Sequence, residues 1–217
     1  MLGFELPSDN FEQFTIETNY LKSYFALPSQ VNYVTETFFV PGYTSEESSH
    51  LRVLCSMLSL GQLHKLIREK GGAYGSGARL NDYCGGLTFT TYRDPNTKKS
   101  LENFRIAVEE VVDGKISDRD VDEAKLSLFS AYDKPILPQN WGLSQFFYGV
   151  SNEVLQAKRG QFLEASKQDL IRVAEELILN KMESGESSKV IFGSEDEALL
   201  NELKEEGKKV NPNKTWI

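Results

Sequence analysis

The sequence predicts an α+β domain, a largely antiparallel sheet with helices packed on one face. Apolar and β-branched runs lie early and one returns late, while amphipathic stretches fill the middle. At 217 residues, 40% hydrophobic and 26% charged, the chain suits a single core.

Residues 11–27 are rich in aromatic and β-branched positions (Phe11, Phe14, Ile16, Tyr20, Phe25). Residues 1–27 are expected to hold linker and a leading strand, with the domain proper spanning 28–217 as a single domain. Val31 to Val40 alternates as a buried strand does, and Pro41-Gly42 ends it. Thr44 followed by Glu47 has the form of a capping box, so a helix is expected from there to about Lys70. Leu51, Leu54, Cys55, Leu58, Leu60, Leu63 and Ile67 give it one apolar face. Gly71-Gly72 stops it, and Ala73–Leu80 with Gly85–Arg93 reads as two strands joined through Asn81-Asp82.

After a turn at Asp94-Pro-Asn-Thr97, residues 98–113 form an amphipathic helix carrying Leu101, Phe104, Val108, Val111 and Val112. Ser117 opens another helix to about Ser130, its first-turn acids suiting the positive end of the dipole. Pro135 and Pro138 interrupt the pattern before short helices at 141–150 and 154–163, with Phe146, Phe147 and Tyr148 assigned to the core. A helix from Ser166 to about Met182, a short buried strand at 187–193 and a charged helical tail at 195–209 complete the order.

Thirty-two acidic against 24 basic residues give a net charge of −8. That argues against a nucleic-acid surface and mildly favours cationic partners. No apolar run approaches the ~18 to 20 residues that span a bilayer, and Met1-Leu-Gly-Phe-Glu-Leu-Pro lacks the regions of a secretory signal. The chain as given is therefore expected to be soluble, off the membrane and without an address of its own. Cys55 and Cys84 are too few for a disulfide framework and are expected to be free structural thiols in a reducing compartment. The sharper alternative is zinc with His50 and His64, but fourteen helical residues place those two roughly 21 Å apart. No His-x-x-Glu-His or His-Glu-x-x-His pair exists to bind a metal.

The most informative stretch is Arg68-Glu-Lys-Gly-Gly-Ala-Tyr-Gly-Ser-Gly77, an ionic helix end running into a glycine-rich turn. On residue type alone, Arg68 reads as a solvated charge favoured by the helix dipole, and Tyr74 as a half-buried strand residue. The same two side chains are also donors able to meet developing negative charge.

Leu63-His-Lys-Leu-Ile-Arg68-Glu-Lys-Gly-Gly-Ala-Tyr74-Gly-Ser-Gly77 resembles the C-terminal half of the pitrilysin-type zinc metallopeptidases (peptidase family M16), in the presequence-protease and falcilysin-like branch. Gln30-Val-Asn-Tyr-Val34, Tyr92-Arg-Asp-Pro-Asn-Thr97, Asp122-Glu-Ala-Lys-Leu-Ser127, Phe147-Tyr-Gly-Val-Ser151 and Trp216-Ile217 follow the same branch in order. The resemblance implies the fourth of four related domains that enclose a chamber, with the zinc site in the first. It implies that Arg68 holds the substrate backbone or carbonyl, that Tyr74 helps stabilise the oxyanion, and that Gly71, Gly72 and Ala73 line the peptide. No metal ligand is expected in this chain; zinc and the general base would come from the N-terminal half of the same polypeptide, the expected partner. Peptides such as cleaved targeting sequences would be the substrates and the mitochondrial matrix the compartment, with a plastid or a parasite digestive compartment as alternatives. Arg93 and Asp94 are read as structural. A non-catalytic scaffold of the same fold, or a module gripping extended peptides at a sheet edge, are the rival readings.

Overall fold

The computed structural model of the chain describes residues 20–26 and 28–194. The expectations for 1–19 and for a helix at 195–209 lie outside the described residues. Five strands, β1 (Lys22–Ala26), β2 (Tyr33–Phe39), β3 (Gly75–Asn81), β4 (Gly86–Tyr92) and β5 (Ser188–Gly193), form one sheet in the order β1-β5-β2-β4-β3. Only β1–β5 pairs parallel; the other neighbours are antiparallel. β1, which precedes residue 28, is hydrogen-bonded into the sheet at one edge.

Alternation decides which face is covered. Val34, Glu36 and Phe38 of β2, and Leu87, Phe89 and Thr91 of β4, are buried. Their neighbours Thr35, Thr37, Thr88 and Thr90 line a half-buried face, where the Thr37 and Thr88 hydroxyls meet at 3.0 Å. Against the covered face pack α1 (Glu46–Leu60) and α2 (Lys98–Val112), with α3 (Asp118–Tyr132), α5 (Asn152–Glu164) and α6 (Lys167–Ala174) lying against α1. Phe89 joins sheet to helices, edge-on to Phe38 at 5.8 Å and stacked on Phe104 of α2 at 5.4 Å. Glu36 is the one acid on the buried face of β2. It accepts from the Ser187 hydroxyl (2.7 Å) and lies 3.4 Å from Lys189 Nζ.

Several expectations needed correction. The cap of α1 is Ser45, not Thr44: the Ser45 side chain accepts from the Glu47 N–H, so the signal was off by one residue. The long helix breaks at Gly61 and resumes as a π turn. The 166–182 helix likewise contains a π segment, Glu175–Leu179, before α7 (Asn180–Ser184). Phe146, Phe147 and Tyr148, assigned to the core, are all exposed on α4 (Leu143–Tyr148). Spacing shows that a face is apolar; it does not show that this domain covers it. Cys55 is buried as expected, but Cys84 is exposed in the hairpin turn.

Lys158 is a buried cation, only 4% exposed, for which sequence gave no warning. Its ammonium donates to the Ser45 carbonyl (2.5 Å) and to the Ser48 and Ser49 hydroxyls (2.8 and 3.2 Å), all neutral acceptors. Burial pushes its pKa down from the ordinary lysine value. Between the folded and the unfolded pKa the unfolded chain binds more protons, so the penalty is full at neutral pH and is relieved as pH rises through that window. Lys158→Met is therefore expected to be at least as stable as wild type near neutral pH, with an advantage that shrinks as pH approaches ~10. Thermal unfolding of both chains across that range checks it; an advantage that grows with pH contradicts it.

Candidate active site

The candidate site is built where α1 gives way to the β3–β4 hairpin. Beyond Gly61 the chain forms a π turn, His64–Glu69, in which Lys70 N–H donates to Lys65 O at 3.1 Å. The wider turn aligns residues five apart and brings His64 Nδ1 to 3.3 Å from Glu69 Oε1. Glu69 is thus directed to His64 rather than to its neighbour Arg68. Leu66 and Ile67 anchor the turn in the core, and Asn103 Nδ2 reaches in from α2 to the Leu66 carbonyl (3.3 Å). π turns are frequent at functional positions. Here the anchored pair leaves Arg68 exposed at the end of the helix.

Gly71 and Gly72 then reverse the chain. Gly72 N–H donates to Arg68 O (2.9 Å) and Ala73 N–H to Ile67 O (3.0 Å), a nested pair like a Schellman closure with each ring one residue wider. Gly72 is left-handed at φ 79°, the region that favours glycine. A Cβ on Gly71 would lie 2.5 Å from the Ile67 carbonyl oxygen, a backbone atom that cannot step aside. Gly71→Ala is accordingly expected to destabilise by roughly 1–3 kcal/mol and to shift the loop; an unchanged urea midpoint would contradict that. The Ala73 methyl is buried in the core, so the loop's side-chain chemistry rests on Arg68 and Tyr74.

Tyr74 enters β3 with its N–H donating to Arg93 O (3.3 Å) and its ring edge-on to Tyr92 at 5.9 Å. Tyr92 in turn meets Tyr33 at 5.5 Å and lies under the Arg93 guanidinium at 5.7 Å. The ring of Tyr74 is therefore steadied, yet the residue is 70% exposed. Among the described residues, neither its hydroxyl nor the Arg68 guanidinium has a hydrogen-bond or ion-pair partner. Two unspent donors flank one rigid turn.

Sequence reasoning missed what braces this loop. Asp94 is buried and initiates the turn as expected, accepting from Asn96 N–H (2.9 Å), but it also accepts from the Ser100 hydroxyl (2.6 Å). Its backbone exchanges two bonds with Asn32 (2.7 and 2.9 Å). Asn96 Nδ2 then donates to the Gly71 carbonyl at 2.7 Å, tying the turn to the glycine loop. Arg93, at φ 49°, is the one left-handed residue other than glycine among those described, and its carbonyl holds Tyr74. Asp-Pro-Asn announced a turn; only the fold shows what the turn supports.

A groove of about 320 Å³ continues from Tyr92 along the edge strand, lined by Gly75, Ser76, Gly77, Arg79 and Thr90. Glycines leave that surface low. Further along, the Ser59 hydroxyl, which donates to the Cys55 carbonyl (2.7 Å), accepts from the Ala78 N–H (2.8 Å). A peptide adding as a sixth strand would have to displace Ser59 there, which weakens the sheet-edge reading. No group of three or more His, Cys, Asp or Glu among the described residues could hold a metal ion. The described residues therefore offer no set that fits a zinc ion.

The fold is one shared with solved peptidase domains. The chain superposes on a solved protease from Helicobacter pylori with a TM-score of 0.64 at 19% identity, covering 84% of this chain and 48% of that one. It matches the inactive domain of an M16 peptidase from Pseudomonas fluorescens with a TM-score of 0.66 at 14% identity, covering 82% and 44%. Those likenesses show the fold. The family follows from sequence: the family model of the PreP C-terminal domain matches residues 22–195, and the chain belongs to that family. A mitochondrial presequence protease from Danio rerio is 44% identical over 155 residues, 71% of this chain but 15% of the relative. The chain thus spans a small fraction of the length of that relative.

Proposed function

We propose that this chain is the C-terminal domain of a mitochondrial peptide-degrading protease and that it completes an active site begun elsewhere in the polypeptide. One observation carries the reading: Arg68 and Tyr74 present unspent donors from a turn held on both sides by the side-chain amides of Asn96 and Asn103. A guanidinium is a permanent fork-shaped donor that can hold a peptide carbonyl, and a phenol can donate to the oxyanion as the carbonyl becomes tetrahedral. Neither activates water. A metal and a general base would have to come from the preceding part of the polypeptide, since the described residues here offer no ligand set. The groove beside Gly75 and Gly77 would receive the flanking peptide, and the negative chain suits basic presequences. The name of the Danio rerio relative supports the substrate class and the mitochondrial compartment.

The purified 217-residue chain is expected to leave a basic presequence-like peptide intact, and to restore hydrolysis when mixed with the separately expressed polypeptide that precedes it. Chelator-sensitive hydrolysis by this chain alone would overturn the division of labour.

A further inference from the structure

The structure leaves one dense apolar surface unexplained. Between Ile136 and Tyr148, large side chains stand in solvent, with Trp141 74% and Phe146 81% exposed. Neither the 3₁₀ turn Pro138–Asn140 nor α4 buries a residue. The segment is pinned through Tyr148, whose ring stacks on Tyr83 at 3.9 Å, and Tyr83 stacks on Tyr43 at 5.1 Å. Beside it a groove of about 290 Å³ is lined by Ile136, Trp141, Val150 and Leu155. Patches this rich in aromatic residues mark interface cores rather than free surface.

Its place in the fold says what covers it. Tyr83 lies in the β3–β4 turn, whereas Tyr74 and Tyr92 lie at the far end of that hairpin, a strand length of roughly 20 Å away. The patch is therefore remote from the candidate active site. β1 runs the other way along the sheet. Lys22 pairs with Lys189 and Lys189 with Glu36, and β2 continues from there to Phe39 beside Gly86 at the turn. Lys22 thus lies at the same end of the sheet as the aromatic segment, on the edge opposite the β3–β4 turn. In the Danio rerio relative this stretch is 15% of the polypeptide, and in the two solved relatives 48% and 44%, so at least as much chain adjoins it in each.

We infer that residues 136–148 are the docking surface for the preceding domain of the same polypeptide, which presents an apolar face to Trp141 and Phe146. This rests on the reading of the chain as part of a longer protease. Hydroxyl-radical footprinting of the 217-residue chain and of the full polypeptide tests it. Labelling of Trp141, Phe146 and Phe147 is expected to fall several-fold in the full polypeptide. The W141S/F146S/F147S variant should unfold at the wild-type temperature as the 217-residue chain, yet lose that protection of segment 136–148 and lower the unfolding temperature in the full polypeptide. Equal labelling in the two proteins overturns the inference. So does protection that appears only with added basic peptide, or that grows with concentration of the 217-residue chain, which would assign the surface to substrate or to a second copy. A full polypeptide with protected residues but no peptidase activity would sink the proposed function and leave this surface standing.

Discussion

Tyr74→Phe in the full polypeptide is expected to lower kcat on the order of 10²-fold while KM stays near its wild-type value. The substitution removes only a hydroxyl that has no partner among the described residues, and the ring keeps its edge-on contact with Tyr92. Folding and loop position should therefore survive. On the proposed reading, what disappears is a donor whose hydrogen bond would strengthen as charge develops on the substrate oxygen, and such a loss would fall on kcat rather than on binding. Steady-state kinetics on a presequence-like peptide separate the cases: a raised KM with unchanged kcat would demote Tyr74 to a binding contact. Arg68→Lys keeps the charge but loses the planar fork, so it too should fall well short of wild type.

Arg52→Met is expected to destabilise the 217-residue chain by roughly 3–5 kcal/mol. Arg52 Nη2 lies 2.5 Å from Asp82 Oδ1, tying α1 to the hairpin turn, and the Asp82 side chain is 3% exposed. Removing the guanidinium leaves a carboxylate in a site with little water to solvate it. Because Arg52 itself keeps 24% exposure, the loss should fall toward the lower end of that range. Adding Asp82→Asn to Arg52→Met should recover much of it, since the unpaired charge is then gone. Urea unfolding of the wild type, the single variant and the double variant reads both effects. A single-variant loss below about 1 kcal/mol would mean that the pair behaves as an exposed surface bridge.

Local signals made the elements legible, while tertiary ones hid the details. The alternation of β2 and β4, the caps at Ser117 and Ser166 and the Gly71-Gly72 stop are written in neighbouring residues, and the structure keeps them. Neither π turn could be read, because the extra residue depends on what packs against it, as with Asn103 on the Leu66 carbonyl. Lys158 passed as an ordinary helix lysine, since its burial is made by Ser45, Ser48 and Ser49, more than a hundred residues away. The aromatics of α4 misled for a related reason: their apolar character is real, but the domain does not cover them. At the candidate site, Arg68, Tyr74 and the glycines were visible as residue types in an unusual string. Their bracing by Asp94, Asn96 and Tyr92 was not, because it joins segments about twenty residues apart.

The central claim is that Arg68 and Tyr74 complete a reaction that the rest of the polypeptide begins, and recombination of separately purified parts tests it most directly. With wild-type chain, the mixture should assemble and hydrolyse a basic presequence-like peptide. With Arg68→Ala/Tyr74→Phe, it should assemble with unchanged affinity and turn over on the order of 10²-fold more slowly or less. Equal assembly with full turnover would contradict the account, because it would leave this domain a scaffold and its two unspent donors without a role in the chemistry.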